Sequence, residues 1–439
     1  MAVYKIKLKH SSSAAEGVFR WCLDSPKDDF SVSDVRIGEK GIRVRGWVLP
    51  TDNAQPSVAL MCGNVVKPLP FNESRPDVIE RVLKEEAEGH DKLLCGFRHS
   101  VTFPDSSFSI GVVSRGKYYP LVEGTIEGAF KVLEGKNNWL FLDNDSNQSV
   151  EQYTGNVKLS RFEKSKWKSY FKSLIELSAL TKIPTCLLIA PSKENVYSDY
   201  YPYSEARSTP IKQLQKIVPK SFNFIFPVMQ LSRLPERSFR VCDTHWTVHG
   251  AREAAIQLTT TLTGYDKRIR ETFKDDEYIK RQAFGDLGRK VYPPRSADED
   301  VLASFNYRDV VVYDNQLPNF GRIITMHNEM ALFKQKIILF GSSSAYSMFQ
   351  YISRLFETVI FVHTAGNVDV ELINNIRPDY FCMQTNARFV VRAPTTRESV
   401  SKYIREKKAS MSGEELKPQF IGDTLPEKLT PIIETLKQL

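Results

Sequence analysis

Cysteine, long apolar runs and dense clusters of basic residues are all scarce in this 439-residue chain, and each scarcity narrows its class. The six cysteines, at 22, 62, 95, 186, 242 and 382, are scattered and include no Cys-x-x-Cys pair. That spacing argues against a disulfide framework. Several lie inside apolar runs, where a free thiol behaves as a small hydrophobe, and a reducing cytoplasm is the expected compartment. No stretch approaches the ~18 apolar residues of a membrane helix. Residues 1–10 lack the apolar centre of a signal peptide. The formal charge of +8 is spread along the chain without Lys/Arg runs. This pattern gives no support for nucleic-acid binding. It fits an acidic ligand, such as a phosphorylated donor or an anionic polymer, or peripheral contact with an anionic inner-membrane surface. Internal repeats and low-complexity segments are missing as well.

What is present is an ordinary globular composition, 41% hydrophobic and 26% charged, long enough for about two or three domains. Residues 1–15 are expected to form a loose arm. Over 16–127, short segments such as 42–49, 57–61, 97–103 and 108–113 alternate apolar and polar residues, as strands of a β-sandwich do. One helical insert is expected from Pro76 to about Glu88. The pattern changes near 128. Residues 160–180 have helical periodicity, and the unbroken apolar run 183–190 is that of a strand buried on both faces. A helix near 208–217, strands near 221–227 and 238–242, and a helix from 247 to about 262 with Thr247 as its N-cap follow. Strands at 336–340, 358–362 and 380–383 then alternate with helices near 345–355 and 368–376. Alternation of this kind predicts an α/β domain over 128–395, a mostly parallel sheet with helices on both faces. Residues 266–300 form a charged excursion over that sheet, and 396–439 a polar, peripheral helical tail.

Two short stretches carry chemistry. Asp243 and His245 stand two residues apart, so the carboxylate can turn back to Nδ1 of the imidazole and leave Nε2 free to take a serine proton. The strand 336–340 runs into Gly341-Ser342-Ser343-Ser344. A serine there sits at a strand's carboxyl end, where open α/β sheets place ligands, and the following turn offers backbone N–H groups to an oxyanion. Gly341 is taken to permit the turn. The plainer alternatives are a helix-capping loop at 243–247 and a polar N-cap turn at 342–344. His249 follows His245 by four residues, but no third ligand is evident and no metal site is expected. Trp139 and Trp246 are expected mainly as core anchors. Lys193 and Glu194 either face a pocket or end a solvated loop, and Arg388 is a candidate anion contact.

These segments resemble the alginate O-acetyltransferase family of the SGNH hydrolase superfamily, over about residues 128–395. Gly135-Lys-Asn-Asn-Trp-Leu-Phe-Leu142 is similar to that family's G-K-D-G-W-L-F-L segment. Ala190-Pro-Ser-Lys-Glu-Asn-Val-Tyr197 resembles P-x-K-E-x-V-Y. Asp243-Thr-His-Trp246 with Gly250-Ala251 resembles D-T-H-W…G-A. Gly285-Asp-Leu287, Arg377-Pro-Asp379 and Ala387-Arg-Phe389 match later elements. The resemblance implies an SGNH-like, flavodoxin-like fold. It implies a serine acyltransferase acting on carbohydrate hydroxyls, with Ser343 as nucleophile, His245 as base and Asp243 as its orienter. Gly341, Ser344, Arg388, Lys193 and Trp246 become oxyanion or pocket candidates. Ser342 stands where the family has an acidic or threonine residue, and Asn386 where it has an acidic one; three consecutive serines leave Ser344 as an alternative nucleophile. No permanently bound cofactor is implied; acetyl-CoA is the expected co-substrate in a cytoplasmic setting. The acceptor expected is a capsule or O-antigen polysaccharide. Arg45-Gly-Trp-Val48 and Asn72–Val78 resemble small β-modules of glycan-building enzymes, which implies polysaccharide or another glycan-biosynthesis enzyme as partner. An acetyl esterase on the same glycan and a non-catalytic glycan-binding scaffold are the alternatives.

Overall fold

The computed structural model describes residues 4–11, 15–32, 41–51, 54–62, 65–101, 107–127, 132–145, 147–291, 294–411, 419–422 and 425–439. The chain divides into two compact units: Met1–Leu133 with Phe284–Ser296, and Glu134–Ala283 with Ala297–Leu439. The boundary expected at 128 lies outside the described residues.

Period-two alternation builds the first unit. Along Ile42–Pro50, Ile42 and Val44 are buried while Arg43 is exposed, because successive strand side chains point to opposite faces. A six-stranded antiparallel sheet runs in the order Phe30–Val32, Tyr4–His10, Lys117–Glu127, Ser107–Ser114, Ser57–Cys62, Val65–Pro68. A second sheet holds Val18–Ser25, Ile42–Pro50 and Gly96–Val101. Ile6, Leu60, Ile110 and Val122 of the first share one apolar cluster with Val44, Val48 and Phe97 of the second. Residues 102–103 of the strand expected at 97–103 lie outside the described residues. Residues 4–10, expected in a loose arm, instead pair with Lys117–Glu127, and Ile6 is fully buried; Ile6 and Leu8 supply an apolar face that the charged residues between them obscure in sequence. The helical insert is shorter than expected: Pro76–Val78 and a wider π-type turn over Ile79–Leu83, stopped by Lys84 in the left-handed region at φ 63°. Arg75 is an internal tie, donating to Asp77 at 2.8 and 2.7 Å and to Asp24 at 2.6 Å.

The second unit is built on an eight-stranded sheet. Its order is Phe224–Ile225, Thr185–Ala190, Tyr380–Asn386, Phe333–Gly341, Phe356–His363, Ile323–His327, Val311–Asp314, Phe420–Ile421. The first five strands are parallel and the last three antiparallel. The sheet is therefore mixed, where a mostly parallel one was expected. The physical reason is local: Val311–Asp314 and Ile323–His327 are joined by a short turn that closes only an antiparallel pair. The expected strand at 238–242 reduces to a bridge between Phe239 and Trp246.

Thr185–Ala190 is buried at all six positions, which explains its unbroken apolar run. Leu187 and Ile189 join a core with Trp167, Phe171 and Leu174 of the helix Arg161–Thr181, a helix capped by Ser160. Val248–Thr263 packs against Thr185–Ala190, and Phe349–Leu355 against Phe356–His363. Residues 396–439, expected as a peripheral tail, contribute Val400, Ile404, Ile432, Ile433 and Leu436 to the core, and Phe420–Ile421 to the sheet edge. Their apolar residues repeat at helical spacing, so the polar ones simply face solvent. Within that tail, 412–418 and 423–424 lie outside the described residues. Among the described residues, no helix is long and apolar enough to cross a membrane.

Candidate active site

Parallel pairing brings four strand ends to one rim of the sheet. Ala190 lies opposite Asn386, and Gly341 opposite His363. The chain leaves those ends as Pro191-Ser192-Lys193-Glu194, Ala387-Arg388 and Ser342-Ser343-Ser344, the rim where open α/β sheets bind ligands.

The segment 238–247 reaches this rim as a tight loop. Thr247 N–H donates to Ser238 O at 2.9 Å and Arg240 N–H to His245 O at 3.2 Å, closing it. Thr247 caps Val248–Thr263 by accepting from Gly250 N. The loop lies directly on that helix's first turn: a Cβ added at Gly250 would stand 2.1 Å from Ser238 O. Gly250→Ala must therefore displace loop backbone. It is expected to lower stability by about 1–3 kcal/mol, measured by urea unfolding.

Within the loop, Asp243 Oδ1 accepts from the His245 backbone N–H at 2.9 Å and lies 2.7 Å from His245 Nδ1. A carboxylate only accepts, so Nδ1 carries the proton and Nε2 presents its lone pair. Nε2 faces Ser343 Oγ at 3.4 Å. Burial alone would raise the Asp243 pKa. The hydrogen bond and charge of His245, its backbone N–H and the Arg240 guanidinium 3.7 Å away outweigh burial and hold the carboxyl well below the usual range.

The serine turn is held from beneath. Gln384 Oε1 accepts from both the N–H and the hydroxyl of Ser342, each at 2.8 Å. Ser344 Oγ donates to Asn386 Oδ1 at 2.9 Å. Of the two candidate hydroxyls, Ser343 faces the imidazole and Ser344 is engaged below. Gly341 does not have the positive φ that only glycine adopts freely; its need is space, since a Cβ would stand 2.7 Å from the Phe361 ring. Trp246 is buried, and its Nε1–H donates to Ser344 O at 2.9 Å, tying the histidine loop to the serine turn.

A small cavity opens here, with Ser192, Glu194, Thr244, His245, Asn386 and Arg388 among its lining residues. Lys193 also lines it, but its Nζ donates to Leu140 O at 2.6 Å and Val241 O at 3.1 Å. Neither a solvated loop end nor a free pocket cation describes it. It is a buried tie that holds the loop ahead of Asp243. Burial pushes the Glu194 carboxyl up, against the opposing pull of its backbone N–H, Arg388, Lys193 and Ser192. Arg388 lies beside Asp145, Nε to Oδ2 3.5 Å, at the cavity wall. His249 is buried with Nε2 3.0 Å from Asp300 Oδ2. Trp139 is buried against Tyr197.

Gln384, the role of Asn386, and Arg240 escape sequence reasoning. The strand expected at 380–383 extends to Asn386, and at that length strand parity puts 384 and 386 on one face. Asn386 Oδ1 accepts from Ser344 Oγ and from Gln384 Nε2 at 3.1 Å, with Ser342 Oγ 3.3 Å away. With its oxygen so committed, its Nδ2, which has no partner among the described residues, is left to face the cavity.

The chain matches no known family model and no curated protein. Among solved structures it is similar to Bacillus cereus PatB1, at 13% identity and TM-score 0.45, over 60% of this chain and 97% of that one. It is similar to a DHHW family protein from Eubacterium siraeum, at 13% identity and TM-score 0.40, over 60% and 95%. It is also similar to the O-acetyltransferase domain of Pseudomonas putida AlgJ, at 14% identity and TM-score 0.36, over 64% and 99%.

Proposed function

We propose that this protein is a serine O-acyltransferase that moves an acetyl group from a thioester donor, acetyl-CoA, to a hydroxyl of a surface polysaccharide. The observation that carries the reading is the line Asp243–His245–Ser343, with contacts of 2.7 and 3.4 Å at the sheet's carboxyl rim. The sugar acceptor rests on the resemblance of the segments 135–142, 190–197 and 243–251 to carbohydrate acyltransferases.

His245 Nε2 takes the Ser343 proton as Oγ adds to the thioester carbonyl. The tetrahedral intermediate collapses, the C–S bond breaks, and the same proton leaves with the thiol. A sugar hydroxyl then gives its proton to His245 and adds to the acyl-serine. Ser343 Oγ departs and is reprotonated. Asp243 keeps Nδ1 protonated and stabilises each imidazolium. The oxyanion forms near the start of the turn Ser343–Met348, at the Ser343 backbone N–H, since the next two N–H groups are taken by Ser342 Oγ and Ser342 O, and the Asn386 amide adds a side-chain donor.

Intact-protein mass spectrometry after mixing with acetyl-CoA tests the covalent route. A ~42 Da adduct on the peptide containing Ser343 is the acyl-enzyme it requires; turnover with no adduct in wild type or in a slow-deacylating variant rejects it. Comparing transfer to a glycan with release of acetate to water separates transferase from esterase. Asn386→Ala is expected to lower kcat by about 10²–10³-fold with KM little changed, read from hydrolysis of a chromogenic acetate ester.

A further inference from the structure

The charged excursion near 266–300 contains an antiparallel hairpin, Tyr278–Ala283 with Ala297–Leu302. Its second strand carries three consecutive acids, and two of them grip the segment that bears Asp243 and His245. Glu299 is buried; its Oε1 accepts the Val241 backbone N–H at 3.0 Å. Val241 lies two residues before Asp243. On its other side, Val241 O accepts from Leu140 N–H and Lys193 Nζ, both at 3.1 Å. Asp300, next along the strand, places Oδ2 3.0 Å from Nε2 of buried His249, four residues after His245. Its Oδ1 accepts from Lys280 Nζ at 3.1 Å.

A buried carboxyl is unfavourable unless it is bound, and an apolar residue would fill the Glu299 site as well if packing were its only role. Glu299 instead meets the Val241 main-chain N–H, with Arg237 Nη2 3.5 Å from its other oxygen, while its sequence neighbour Asp300 holds the helix Val248–Thr263 just beyond the loop. The loop has little regular structure of its own, a single bridge between Phe239 and Trp246. The 3.4 Å approach of His245 to Ser343 therefore depends on what fixes the loop from outside, and a misplacement of about 1 Å can reduce turnover by about 10²-fold.

We propose that Glu299 and Asp300 are positioning residues, a clamp from the hairpin that aims the Asp243–His245 segment at Ser343. Its catalytic consequence rests on the acyl-transfer reading; its geometry does not. Burial raises the Glu299 pKa, opposed by the Val241 N–H and by Arg237, Arg240 and Lys193, the cations that face it from the loop and the short helix Lys193–Val196. Glutamine keeps a carbonyl acceptor for the Val241 N–H.

The test measures hydrogen exchange of the peptide 238–247 in the full chain alongside hydrolysis of a chromogenic acetate ester. Glu299→Ala is expected to speed exchange in that peptide by about tenfold or more and to lower kcat by about 10²-fold with KM nearly constant. Glu299→Gln should restore both to within a few fold. Asp300→Asn should speed exchange toward the His249 end. Unchanged exchange over 238–247 in Glu299→Ala overturns the clamp. So does an equal rise in the strand Thr185–Ala190, which would mean general loosening, or a failure of glutamine to rescue. If wild type hydrolyses no ester while exchange responds as expected, the clamp stands and the acyl-transfer reading falls.

Discussion

Ser343→Ala is expected to reduce acetyl transfer by about 10⁴-fold or more, and His245→Ala by a similar factor, with the far-ultraviolet spectrum and melting temperature preserved. The Ser343 side chain is half-buried, and its hydrogen-bond contact among the described residues is His245 Nε2 at 3.4 Å, so folding loses little. The control is Ser344→Ala. Its hydroxyl is buried and bonded to Asn386 Oδ1, so its loss leaves most of the activity and lowers stability by about 1 kcal/mol. Near-full activity in Ser343→Ala with loss in Ser344→Ala would move the nucleophile by one residue. Activity in both would end the covalent mechanism. Steady-state rates with acetyl-CoA and the ~42 Da adduct provide the two readouts.

Asp243→Asn should be nearly as damaging, about 10⁴-fold in kcat. The amide oxygen, held in place by the His245 backbone N–H, still faces Nδ1 but carries no charge, so the imidazolium formed as His245 takes the Ser343 proton loses its stabilising partner. The same carboxyl contributes to stability with a definite sign. Its pKa is lowered in the fold. Its contribution is therefore complete above the unfolded value of ~3.9 and is lost as the pH falls from there toward the folded value. Asp243→Asn should therefore flatten the acid side of the stability curve below about pH 4 and leave the curve at pH 7–9 parallel to wild type. A variant retaining more than about a tenth of wild-type kcat would mean that the charge of the carboxylate does not stabilise the imidazolium.

How much of this is legible along the chain depends on the range of the signal. Asp243 and His245 are two residues apart, so their contact is a local turn. The Thr247 cap and the Ser160 cap are equally local, and both helices begin where those residues place them. Strands buried on both faces announce themselves as apolar runs at 185–190 and 337–341. Residues 310–313 and 323–326 are largely apolar runs as well, but nothing in them says that they pair antiparallel, and the edge strand Phe420–Ile421 is only two residues long; pairing partners decide these.

By itself, the order of residues determined which groups can do chemistry here: an imidazole with its carboxylate on one loop, a serine after a buried strand, and the alternation of elements that makes an α/β sheet. Only the tertiary structure decided which of three serines meets the imidazole, which way the Asn386 amide turns, and that a hairpin some fifty residues away holds the loop. The reason is physical. Capping and periodicity act within a few residues, whereas the direction of a side chain at a strand end is chosen by hydrogen-bond partners brought in from elements far along the chain.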